Sequence, residues 1–281
     1  MPTASQLIED YIAQNDLSKS SQNSYRREAS KYGAVDMDRI TFKGIKNIVE
    51  GTSKNPNSKS ATLNIALMIN SHRKDLYDRI TDYRQELRAE IDANRKKKLG
   101  EALEELPSYQ YLVDELEKLE GIKYIVNYFL INLAFRNADF MLEYTKSVND
   151  LPEKSEVNYI YLNPKTNQVK LIINNYKTKK SYGTKRIEID DAKLSRELKN
   201  MNLQDGDALM PLQNGKMPSL SYIGDKIKDL SIDNLGETRI SKIVIKHIID
   251  TKDFKKLRDV SRSRGTSEAT LLSNYNLYDT A

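Results

Sequence analysis

The longest apolar run in the chain, Tyr124 to Phe135, constrains the fold more than any other segment. It is too short to cross a bilayer, which takes about 20 apolar residues, and Asn127 and Asn132 interrupt it. Ile122, Ile125, Val126, Phe129, Leu130 and Leu133 recur at helical spacing, which predicts the central core helix of a domain, ending close to Arg136.

At 281 residues the chain exceeds one average domain, and its pattern divides it. Residues 1–75 read as a small helical domain: Ala4 to Gln14, a helix opened by Ser18 or Ser20 through Tyr32, Thr41 to Glu50, and Ser60 to Ser71, with Gly51 to Ser58 as a loop. Residues 76–106 read as a helical connector. Leu76, Ile80, Tyr83, Leu87 and Ile91 form one stripe, the other faces are almost wholly charged, and Arg95 to Lys98 with Gly100 interrupt it. Residues 107–281 form the second domain. Its strand candidates are Val157 to Leu162, Gln168 to Asn175 and Thr184 to Ile189, a three-stranded antiparallel sheet joined by an Asn-Pro turn and the loop Lys177 to Gly183. Helices follow at Ala192 to Asn200, Ser219 to Lys228, Arg239 to Ile249 and Lys252 to Arg262. The expected class is α+β, mainly α with a small antiparallel β-sheet.

Cysteine is absent and the histidines are His72 and His247, so a disulfide framework, a thiolate metal site and a cysteine nucleophile are excluded. With no apolar signal region at the N-terminus, the expectation is an intracellular protein that does not enter a membrane. The net charge of +5 suits a polyanionic partner without requiring one.

Near the C-terminus, Arg264-Gly265-Thr266-Ser267 is a tight turn running into a short helix that presents Tyr275. Arg136, Lys177 and Arg239 precede it in that order. Leu133-Ala-Phe-Arg136-Asn-Ala-Asp139, Tyr176-Lys177-Thr178 at a strand exit followed by a loop and Lys185-Arg186-Ile187, Asp207-Ala-Leu-Met-Pro211, Thr238-Arg239-Ile240-Ser241, and Gly265-Thr266-Ser267 with Tyr275 ten residues past the glycine form an ordered set. This set resembles the boxes of the tyrosine recombinases of phage-integrase type, and the likeness runs over nearly the whole chain. It implies an N-terminal helical core-binding domain plus a C-terminal catalytic domain that breaks and rejoins DNA. It implies double-stranded DNA as partner, self-assembly on paired DNA sites, an origin in a virus or mobile element, and no cofactor.

The chemistry that the resemblance implies is a phenolate attack on a phosphodiester. Tyr275 would form a 3′-phosphotyrosine, preserving the energy of the broken bond. Arg136 and Arg239 would clamp the non-bridging oxygens, since a guanidinium stays charged and binds two oxygens at once. Lys177 would protonate the leaving 5′ oxygen. Thr266 would donate one bond to the phosphate. Lys19, Arg26, Arg27 and Lys59, with Lys179 and Lys180, are candidate DNA contacts.

Two positions depart from the family pattern: Gly236 stands where a histidine usually precedes the second arginine, and Thr266 stands where the terminal turn carries histidine or tryptophan. His247 lies on the stripe Ile240, Ile243, Val244, Ile248 and reads as a core histidine, and His72 as a surface residue at a helix end. Lys179 or Lys180 can take the place of Lys177, and Tyr278 competes with Tyr275. A type IB topoisomerase-like enzyme and a catalytically weakened DNA-binding relative stay open beside the site-specific recombinase.

Overall fold

The computed structural model describes residues 2–148, 151, 157–176, 179 and 183–275, with Asn274 described by its backbone alone. The chain forms two compact units, Met1–Lys98 and Leu99–Ala281. It is mainly helical with one small sheet.

In the first unit each helix starts where a short polar side chain can cap it. Thr3 caps α1 (Ala4–Gln14) in a reciprocal box with Gln6, Ser18 caps α2 (Lys19–Ser30), and Thr41 caps α3 (Phe42–Thr52). Asn55 caps α4 (Pro56–Ile69), so this helix begins inside the segment expected to be a loop. Proline at the first helical position loses no hydrogen bond, and its fixed φ favours the start. Ile8, Ile45, Val49, Leu63, Ala66 and Ile80 meet in the core. α5 (Lys74–Glu104) contributes Leu76, Ile80, Tyr83 and Leu87 to that core and continues unbroken through Arg95 to Lys98 and Gly100. Lysine and arginine are good helix formers, and one glycine costs only about 1 kcal/mol.

In the second unit α6 (Tyr109–Lys118) and α7 (Gly121–Asn132) lead to a 3-10 turn, Asn137–Phe140, and a sheet of β1 (Leu142–Thr145), β2 (Asn158–Leu162), β3 (Val169–Ile173) and β4 (Lys185–Ile189). The order is β1-β2-β3-β4, with β1 parallel to β2 and the other pairs antiparallel. The sheet is thus four-stranded and mixed, not the three-stranded antiparallel sheet expected. The four residues of β1 are too few for an alternation to register in sequence. The far edge of β1 is closed by the segment around Asp207: Tyr144 N donates to Asp207 O at 2.7 Å and Leu209 N to Leu142 O at 2.8 Å.

Then follow α8 (Ala192–Asn200), α9 (Leu220–Leu230), α10 (Gly236–Asp250), α11 (Phe254–Arg264) and α12 (Glu268–Tyr275). α7 is the centre of this core, with Ile125, Val126, Phe129 and Leu130 fully buried among Phe135, Phe140, Ile160, Leu171, Ile240, Val244 and Leu271. Asn127, inside the apolar run, donates to Leu230 O at 3.0 Å and accepts from Ile232 N at 2.9 Å, fastening α7 to the end of α9. Among the described residues no helix is long and apolar enough to cross a membrane.

Candidate active site

Four segments of the second unit converge on Arg136. Leu133 caps the end of α7, and Ala134 turns the chain in the left-handed region at φ 50°. Such a conformation costs an alanine on the order of 1 kcal/mol, and the surrounding contacts hold it. Phe135 is fully buried against Phe129, ring centroids 5.2 Å apart, which anchors the turn on the core. Arg136 then starts the 3-10 turn, its backbone N–H donating to Asp139 Oδ2 at 2.8 Å.

α11 supplies the clasp on that turn. Ser263 Oγ donates to Leu133 O at 2.6 Å, and Arg264 Nη1 donates to Ala134 O at 2.8 Å and to Ser241 Oγ at 2.7 Å. Arg264 Nη2 pairs with Glu237 at 3.0 Å, and the residue is only 8% exposed. Gly265, at φ 57° and ψ 53°, ends α11 in the left-handed conformation that glycine adopts without a Cβ penalty, and α12 follows. Tyr275, the last residue of α12, packs partly buried on the core and interacts electrostatically with Arg136.

The result is a cationic site. Burial and then the Arg264 charge press down the Arg136 pKa, against the pull of Asp139, Glu237 and Tyr275. Arg136 Nη1 is buried and has no hydrogen-bond partner among the described residues, and the same holds for Asp139 Oδ1. Asp139 has its carboxyl pushed up by burial, opposed by the Arg136 N–H and by Lys185, Arg136 and Arg264. Lys185, the first residue of β4, donates to Ser263 O at 2.6 Å and lies 3.5 Å from the centroid of the Tyr176 ring. Burial, followed by the charges of Arg136 and Arg264, brings its pKa down to about 8, although Asp139 opposes them. A preorganised donor without an acceptor, between further cations in a partly dry site, is suited to a phosphate oxygen.

The structure thus brings Arg136 and Tyr275 together. Lys177 and Lys180, and Tyr278, lie outside the described residues. Arg239 is exposed on α10, roughly 200° around the helix from Glu237 and from Ser241, the two residues that meet Arg264. Thr266 is half-buried, its N–H donating to Ser261 O at 2.9 Å. Gly236 is buried at φ 70° behind left-handed Asp233 and Asn234, a backbone that a histidine would enter only under strain. His247 stacks on Tyr109, ring centroids 4.0 Å apart, and His72 is exposed.

Among the first-unit DNA contacts expected, Lys19 is exposed at the start of α2. Arg26 is held by Glu9 at 2.7 Å, Arg27 by Glu28 at 3.1 Å, and Lys59 by Glu50. Lys179 is half-buried, its N–H donating to Tyr176 O at 3.2 Å. No group of three or more acidic, histidine or cysteine side chains among the described residues could hold a metal ion.

Lys185, in sequence only the far end of the lysine hairpin, and Arg264, the residue before the terminal turn, are the cations that the structure adds to the site. A signal existed for Arg264, since Leu257, Val260 and Arg264 fall at helical spacing and place the arginine on the buried face of α11.

No family model matches the chain, and no curated protein does. Among solved structures, the crystal structure of XerA recombinase is similar over 99% of this chain and 94% of that one, at 14% identity and a TM-score of 0.34. A likeness this distant carries no conclusion about fold or activity.

Proposed function

We propose that the chain is a site-specific DNA recombinase that cuts and rejoins strands through a 3′-phosphotyrosine on Tyr275. The observation that supports this best is the buried Arg136 Nη1, which has no hydrogen-bond partner among the described residues and lies within electrostatic reach of Tyr275 in a site with a surplus of cations. Arg136 binds the scissile phosphate, and Tyr275 attacks it. Lys177 is a candidate proton donor. Arg239, exposed on α10, reaches phosphate from outside the buried cluster, and Thr266 adds one hydrogen bond. Lys19, Arg26, Arg27, Lys59, Lys179 and Lys180 meet flanking phosphates, and copies of the chain assemble on paired sites. Side-chain cations supply the charge, so cleavage persists in excess EDTA.

A second reading, a DNA-binding relative without strand transfer, is favoured by Gly236, Thr266 and the exposed Arg239. One experiment separates the two. DNA bound by the full chain is selected from random sequence, and the selected site is rebuilt as a nicked duplex from which the cleaved strand diffuses away. The recombinase reading expects a covalent adduct that survives SDS in the wild type and is absent in Tyr275→Phe. Specific binding with no adduct supports the second reading.

A further inference from the structure

We infer that Lys185, held on the first position of β4, is the proton donor to the departing 5′ oxygen, an inference that rests on the strand-transfer reading above. The hairpin loop offers Lys177, Lys179 and Lys180 for that role, and on sequence alone a loop lysine reads best. Tertiary packing places Lys185 within electrostatic reach of the Arg136 guanidinium.

The argument begins with the strand. β4 alternates, so Lys185, Ile187 and Ile189 share one face, and Ile189 is buried in the core. Lys185 therefore points inward. Its ammonium is flanked by the Tyr176 ring, the Ser263 carbonyl, Arg264 from α11, and Arg136 and Asp139 from the 3-10 turn. The Tyr176 hydroxyl donates to Gly183 O at 2.6 Å, which helps to fix the ring that faces Lys185. Lys185 also lines a cavity of about 550 Å³ with Leu133 and Ser263, and Arg186, Glu188, Asp259 and Arg262 are the charged groups around it. An ammonium has three donors, and among the described residues Ser263 O is the one hydrogen-bond acceptor it meets, with the Tyr176 ring against it.

The acidity suits the task. At about 8, Lys185 is mostly charged at neutral pH yet gives up its proton far more readily than an ordinary lysine. In the step, Tyr275 Oη bonds to phosphorus and its phenolic proton leaves to water. The P–O5′ bond breaks, its electron pair stays on O5′, and the Lys185 ammonium supplies the proton. Solvent reprotonates the amine.

The test uses the nicked duplex in two forms, one with an ordinary phosphodiester at the cleavage point and one with a 5′-bridging sulfur. A thiolate leaves without protonation, so only the oxygen form needs the acid. Lys185→Met keeps an apolar stem against Tyr176, and Lys185→Arg keeps a charge that cannot be deprotonated. Both are expected to bind the site as wild type does, to lose about 10²–10⁴-fold in adduct formation on the phosphodiester, and to recover on the sulfur linkage. Wild type should lose rate above about pH 8 on the phosphodiester alone. Equal loss on both linkages, wild-type rates on both, or sulfur rescue of Lys177→Met in place of the Lys185 variants would overturn the assignment. A wild type without adduct on either linkage removes the strand-transfer reading itself, and the assignment with it.

Discussion

In the first unit Glu28 is almost fully buried, and it is surrounded by donors: Lys31, the Thr62 hydroxyl and Arg27 all reach it. Burial pushes its carboxyl up, but those hydrogen bonds outweigh it and hold the group below the usual carboxylate range. In the second unit Arg136 is half-buried with its Nη1 fully so, yet among the described residues Nη1 meets no acceptor, and the charge that presses most on the group after burial is another cation, Arg264. A buried charge answered inside the chain serves the fold, whereas one left unanswered marks where something else binds.

The largest effect that would sharpen this contrast is on Tyr275. Tyr275→Phe should abolish the SDS-resistant adduct on the nicked duplex while DNA affinity stays nearly constant, because one hydroxyl adds little to many phosphate contacts. Tyr278→Phe should retain the adduct. The opposite pair of results places the nucleophile three residues later.

Next come paired substitutions, one per unit. Arg136→Ala should lower cleavage by about 10²–10³-fold with an unchanged or raised melting temperature, since no described partner is lost at Nη1. Glu28→Ala should instead destabilise the first unit by on the order of 1–3 kcal/mol, through the lost charge-assisted hydrogen bonds and the cavity left behind, read by chemical denaturation. If Arg136→Ala melts the protein and Glu28→Ala does not, the contrast is broken.

The pH dependence should differ in sign. The depressed Glu28 pKa gives stability that is fully present above the unfolded carboxylate range near 4.3 and is lost as pH falls through the folded value. Asp139 is raised, so acidification favours its folded form, and its share of stability grows as pH falls. Denaturation of Glu28→Gln and Asp139→Asn across pH 3–6 should therefore remove slopes of opposite sign; slopes of the same sign refute the assignment of one group to the fold and the other to the site.

The smallest effect belongs to the surface. Arg26→Ala should leave the melting temperature where it is, because its partner Glu9 is equally exposed and water replaces the pair. Its DNA affinity at low salt should fall slightly, and the affinity of the wild type should drop steeply between low and physiological salt. A melting temperature that falls by several degrees would show that the Arg26 pair does structural work.

What the residues determine alone is whatever is settled within about four positions. Thr3, Ser18, Thr41, Ser108 and Ser219 each cap the helix that follows, because cap and amide are close in sequence. The apolar spacing of α7 was legible for the same reason, and so was the tight turn at Gly265 before the helix of Tyr275. Tertiary structure decided the rest. It set β1 beside β2 in parallel, which needs a crossover connection instead of a tight turn. It brought Lys185 to Ser263 and Arg264 to Ala134, contacts 78 and 130 residues apart, and turned Arg239 outward. Whether a cation is solvated or buried against another depends on which distant segments close over it, and local spacing holds no record of that.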